Sequence, residues 1–192
     1  TLGSSYYLGD VNHARQFYSP GLTFGLAFRQ SFNKHYALRL NVLRATVSGS
    51  DLDFPNGYQQ SRAHSFNNNI YEFGLQLEFN FFEFITFKKK SSAPYITTGA
   101  ALAISNSFSS FSLAIPMGVG YKYSVSKRLT LSGEWVFRTT TSDELDLLFP
   151  ADTDTKQQTK INNTDWYSIF CITATYNFAN EKKWCPAYRK TK

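Results

Sequence analysis

The sequence predicts an all-β protein, an up-and-down antiparallel transmembrane β-barrel of about eight strands. Four observations carry this. Apolar and polar residues alternate along most of the chain, which is the side-chain period of a strand. Aromatic residues make up 17% of the 192 positions, yet mean hydropathy is -0.33. No stretch approaches the roughly 18 consecutive apolar residues of a membrane helix. The face opposite the large apolar side chains carries mainly Gly, Ala, Ser and Thr, where a water-washed sheet would carry Lys and Glu.

The strands follow in order. The first is short, around Ser4–Leu8. Residues 22–29 set Leu22, Phe24, Leu26 and Phe28 against Thr23, Gly25, Ala27 and Arg29. Over 36–43, Tyr36, Leu38, Leu40 and Val42 oppose Ala37, Arg39 and Asn41. Residues 69–82 place Tyr71, Phe73, Leu75, Leu77, Phe79 and Phe81 opposite Glu72, Gly74, Gln76, Glu78 and Asn80. Over 95–104, Ile96, Thr98, Leu102 and Ile104 face away from Tyr95, Thr97, Gly99 and Ala101. The run FSLAIPMGVGYKYSV (111–125) puts a bulky apolar residue at every odd position and only Lys122 as a long side chain at the even ones. Residues 128–138 set Leu129, Leu131, Trp135 and Phe137 against Arg128, Thr130, Ser132, Glu134 and Arg138. The last strand, 166–178, ends the barrel domain at 178.

Alternation alone leaves inside and outside undecided. The small residues decide it, because about eight strands enclose room for side chains and no more. The small face therefore points inward and the apolar face meets lipid. Arg29, Arg39, Lys122, Arg128 and Arg138 are expected to pair with Glu72, Glu78 and Glu134 across the interior, as a structural charge network. An ion path is the rival, and a filled lumen disfavours it. Short connections near 31–35, 87–94 and 124–127 alternate with longer ones near 9–19, 49–66 and 141–163 and a shorter one near 105–110. Short turns face the periplasm in outer-membrane barrels, and an even strand count puts both termini on that side.

Few residues invite other chemistry. The formal net charge of +6 forms no helical stripe or nucleic-acid motif, so no nucleic-acid partner is expected. Gly118-x-Gly120 precedes neither a helix nor a Lys-Ser/Thr pair, so it is no phosphate loop. His13, His35 and His64 lack metal-ligand spacing and read as surface residues, so no metal or cofactor is expected. A lipid-modifying enzyme would need a nucleophile and base near the rim; His64 with Ser65, near Glu72, is the one rough match. Cys171 reads as an inert thiol on the inner face. Residues 179–192 form a basic C-terminal tail, NEKKWCPAYRK within it, where Lys182, Lys183 and Arg189 flank Cys185. Trp184 and Tyr188 supply apolar anchors there, so the six residues form a candidate partner-binding segment. In an oxidising periplasm an unpaired Cys185 points to an intermolecular disulfide, against the plain alternative of a free thiol on a solvated tail.

Several segments then carry a likeness: SSYYLGD at the start, the Glu78–Phe81 run EFNF, and the pattern from Gly118 to Asp146, IPMGVGYKYSVSKRLTLSGEWVFRTTTSDELD in full. Over most of its length the chain resembles the PorG-like outer-membrane barrels of the type IX secretion system. Glu144 stands where that family commonly has an aromatic residue. The resemblance implies a non-enzymatic outer-membrane component that anchors or docks the periplasmic ring of the lipoprotein PorK and its partner PorN. It makes a ring component the expected partner of Cys185. The rival readings are a lipid-modifying barrel enzyme and a lipocalin-like carrier of small ligands.

Overall fold

The computed structural model describes residues 1–8, 17–50, 65–85, 87–105, 111–141 and 166–178. Within them, eight strands run in chain order: β1 (Leu2–Leu8), β2 (Gly21–Ser31), β3 (Tyr36–Ser50), β4 (Ser65–Asn80), β5 (Ser92–Ser105), β6 (Phe111–Ser124), β7 (Leu129–Thr140) and β8 (Trp166–Tyr176). Each pairs antiparallel with the next, and β8 pairs with β1 to close an up-and-down barrel. No helix occurs among the described residues.

The register fixes the shape. Paired residues lead from Gln30 on β2 through Leu38, Leu77 and Thr98 to Met117, Phe137, Ser168 and finally Tyr6 on β1. The β1–β2 ladder pairs Ser5 with Gly21, so its continuation sets Tyr6 opposite position 20 and the circuit closes with an offset of ten residues. With eight strands, a rise of about 3.3 Å and a strand spacing of about 4.8 Å, that offset tilts the strands about 41°. The backbone radius is then about 8 Å, which leaves space for side chains and no channel.

The faces are those the alternation predicts. Leu26, Phe28, Phe73, Leu75, Leu102, Met117, Val119, Phe170 and Ile172 are exposed on the outer wall. Arg39, Asn41, Glu72, Gln76, Thr97, Ser112, Lys122 and Thr173 are buried inside. At the turn end an aromatic ring surrounds the wall: Tyr36 lies 5.2 Å from Phe79, Phe79 lies 5.5 Å from Phe81, and Tyr176 lies 5.0 Å from Phe178. Phe79 therefore marks this interface and not the middle of the apolar band; Leu75, paired with Leu40 and Ala100, holds the middle.

Two strands outrun the sequence reading. β3 continues to Ser50 and β4 begins at Ser65, and over those extra residues the pattern inverts. Ala45, Val47, Phe66 and Ile70 now point inward and are buried, while Arg44, Thr46, Ser48, Asn67 and Asn69 take the outer positions. Alternation of this sign is what water on the outside demands. The β3–β4 hairpin thus rises past the apolar band at the loop end.

Candidate functional site

The inward positions of β2–β4 and β6–β7 assemble a two-level charge network. Near the turn end, Glu78 accepts a 2.7 Å hydrogen bond from Lys122 Nζ and lies 3.4 Å from Arg39 and 3.7 Å from Arg29. Arg39 also donates to Glu134 Oε2 at 2.6 Å, and both its other nitrogens reach Gln76 Oε1. Tyr95 donates its hydroxyl to the same Glu134 oxygen at 2.8 Å, while its ring faces the Lys122 ammonium at 4.2 Å. Gly120 is glycine for this reason: a Cβ there would meet the Tyr95 ring at 2.5–2.7 Å. Higher up, Arg138 Nε donates to Glu72 Oε2 at 2.6 Å, and Tyr167 donates to that oxygen at 2.6 Å.

Both mouths are filled. Above the Glu72–Arg138 pair, Tyr7, Val47, Phe66, Ile70, Tyr167 and Ile169 form an apolar cap. At the turn end, Phe84 from the β4–β5 connection is only 3% exposed, its ring 5.3 Å from Lys122 Nζ and 5.7 Å from Arg29 Cζ. The pattern of alternation did not reveal Phe84, because it lies beyond the end of β4 in the run FNFFEF, where every aromatic looks equally wall-facing. A small space lies beside Asn41, Glu134, Cys171 and Thr1, with room for about a water.

Seven of the eight residues assigned to the interior are there. Arg128 is not. It falls in the turn before β7, where the chain is no longer pleated and alternation stops assigning sides; it is exposed and donates to the Tyr176 hydroxyl at 3.3 Å. Cys171 is a free, buried thiol 3.4 Å from Glu134 Oε1. The candidate enzyme set does not converge: Ser65 is exposed at the start of β4, and Glu72 lies seven residues along on the inward face, tied to Arg138 and Tyr167. His35 sits at the β2–β3 turn with Nδ1 2.9 Å from the Asn80 carbonyl oxygen. His13, His64, Lys182, Lys183, Trp184, Cys185, Tyr188 and Arg189 lie outside the described residues.

The turn-end rim is strongly basic. Among the described residues its connections present Lys34, Lys88, Lys89, Lys90, Lys127 and Arg128, of which all but the half-buried Lys34 are exposed, against a single acid, Glu83. Lys34 Nζ donates to Glu83 Oε2 at 2.8 Å, and this hydrogen bond with the attendant charge holds the Glu83 carboxyl below the usual carboxylate range.

The family model described as Domain of unknown function (DUF6089) matches residues 1–187. The chain belongs to the DUF6089 family. No curated protein and no solved structure matched it. For this member of DUF6089, any function must be argued from where the barrel offers reactive or accessible groups. The charged lumen is sealed at both ends, so the accessible polar surfaces are the two rims.

Proposed function

We propose that this chain is a PorG-like outer-membrane barrel that serves type IX secretion without catalysis, docking the periplasmic PorK–PorN ring against the membrane. The supporting observation is the distribution of charge between a sealed interior and an open basic rim. Lumenal charges are consumed in pairing, whereas the turn-end cations, one Lys34–Glu83 pair apart, are free to meet another body. A rim of this kind suits anionic inner-leaflet headgroups and an acidic protein surface at once. The described chain ends on this same rim at Phe178, and Lys182, Lys183, Trp184, Cys185, Tyr188 and Arg189 follow it in sequence. The ring as partner comes from the PorG-like sequence pattern.

The rival readings lack such support. A lipocalin-like carrier needs an apolar cavity inside and polar groups outside, and the described strands have the reverse over the apolar band. A lipid-modifying enzyme needs a converging nucleophile and carboxylate at the rim, which Ser65 and Glu72 do not provide. The test is crosslinking in native membranes followed by isolation of this chain. Recovery of PorK and PorN, reduced when Lys88, Lys89 and Lys90 are all changed to Glu, is the expected result. Unchanged recovery of every crosslinked protein in the triple variant would sink the docking role of this rim.

A further inference from the structure

Alternation sends nearly every charged strand residue inward, but it sends one outward. Among the described strand residues, Arg44 on β3 is the sole charged side chain on the outer wall. It stands eight residues above Tyr36, about 20 Å up the barrel axis at the tilt derived above. Its guanidinium lies between two rings, 5.9 Å from the Phe24 centroid and 5.8 Å from that of Tyr71. Nη2 donates to Asn69 Oδ1 at 3.2 Å, and Thr46 Oγ1 donates to the same oxygen at 2.9 Å. Nε is shielded from water and has no hydrogen-bond partner. Among the described strand residues, no carboxylate shares the wall with it.

The height of this cluster gives it meaning. Below it the wall is Leu40, Val42, Phe73 and Leu75; above it come Thr46, Ser48, Asn67 and Asn69. Arg44 thus sits where hydrocarbon gives way to headgroups, in a band about 25 Å tall counted from the turn-end aromatic ring. A cation there, with no carboxylate on the described wall, is completed by an anion with several acceptor oxygens in the surrounding lipid, met by the terminal nitrogens of the guanidinium and not by the shielded Nε–H. Arginine's fork matches phosphate better than a point charge would. Asn69 Oδ1 is occupied by its two donors, which leaves the Nδ2 group as a further donor. The geometry points to a binding site on the outer wall for the phosphate of a lipid headgroup in the leaflet at the loop end, held by Arg44 and Asn69 between Phe24 and Tyr71. This rests on the reading that the wall spans a membrane.

The full chain in neutral detergent, probed by native mass spectrometry with phosphatidic acid and with diacylglycerol of the same acyl chains, tests it. The wild type should retain phosphatidic acid and not diacylglycerol. Arg44→Gln should weaken that retention about tenfold, and Arg44→Lys, which keeps the charge but loses the fork, should fall between. Heat-dependent gel mobility confirms that each variant is folded. Undiminished retention by folded Arg44→Gln, or equal retention of both lipids by the wild type, would overturn the site. Displacement by millimolar inorganic phosphate would overturn the lipid as its source. Failure of the wild type to insert into phosphatidylcholine vesicles would sink the membrane-spanning reading itself, and the site with it.

Discussion

Leu75→Arg is the sharpest probe of the outer wall. Leu75 is exposed on β4 and paired on its two sides with Leu40 and Ala100. It lies four residues above Phe79, which is about 10 Å along the axis at about 2.5 Å per residue. Measured from the turn-end aromatic ring, that is close to the middle of an apolar band about 25 Å tall. An arginine at mid-band is expected to cost about 2–4 kcal/mol, and one at an interface about 0–1 kcal/mol. Phe79→Arg should therefore cost less than Leu75→Arg, although it also loses the ring contacts with Tyr36 and Phe81. Ala101→Ser, which adds a hydroxyl on the lumenal face one strand over, should change little. The assay is equilibrium folding into phosphatidylcholine vesicles across a denaturant series, read by gel mobility without heating. A Leu75→Arg cost no larger than that of Phe79→Arg, or no cost at all, would refute the placement of lipid against this wall.

Glu78→Gln removes the carboxylate paired with Arg29 and Lys122 and one of the two facing Arg39, and leaving that cluster uncompensated should cost about 3–5 kcal/mol in the same vesicle assay; a cost under about 1 kcal/mol would mean the network is ornamental. Phe84→Ala should destabilise the barrel by about 3 kcal/mol yet produce no conductance in planar bilayers, because the Tyr7–Tyr167 cap still closes the other mouth. Non-reducing electrophoresis of native membranes should show a heavier, reductant-sensitive band containing this chain that Cys185→Ser abolishes and Cys171→Ser preserves; persistence of the band without Cys185 would end the disulfide proposal.

The sequence made the band legible and little beyond it. Leu75 is exposed on the outer wall and Gln76 is buried in a narrow lumen, and that contrast is written into adjacent letters. Where the outward residues turn polar, as from Arg44 to Ser50, the same strand continues with its pattern inverted, and a rule tuned to apolar-outward alternation stops too early. Turns escape it too: Arg128 and Phe84 are placed by loop conformation, one outward and one into the mouth, and neither position follows from a period of two. The interior pairing was legible as a set of charges but not as partners, since the shear that brings Arg39 to Glu134, two residues 95 apart in sequence, emerges only on closure.

The inversion also explains why the interior is built differently at its two ends. On the proposed membrane-spanning reading, the wall within the apolar band gains nothing from burying hydrophobic side chains inward, because lipid would already solvate those on the outside. Cohesion there must come from groups that lipid cannot satisfy: the closed backbone ladder, and lumenal ion pairs such as Lys122–Glu78 and Arg39–Glu134. Above the band, on the same reading, water surrounds the strands, and burying Val47, Phe66, Ile70 and Ile169 removes apolar surface from it, at roughly 25 cal/mol per Å². The charged lower lumen and the apolar cap are thus two answers to two solvents, met by one continuous sheet. Their junction lies at the Glu72–Arg138–Tyr167 group, which the registers set at the level of Arg44 on the outer wall: Leu43 pairs with Glu72, and Arg44 with Tyr71. The change of solvent is marked at one height on both faces of the barrel, by a paired arginine inside and an unpaired one outside.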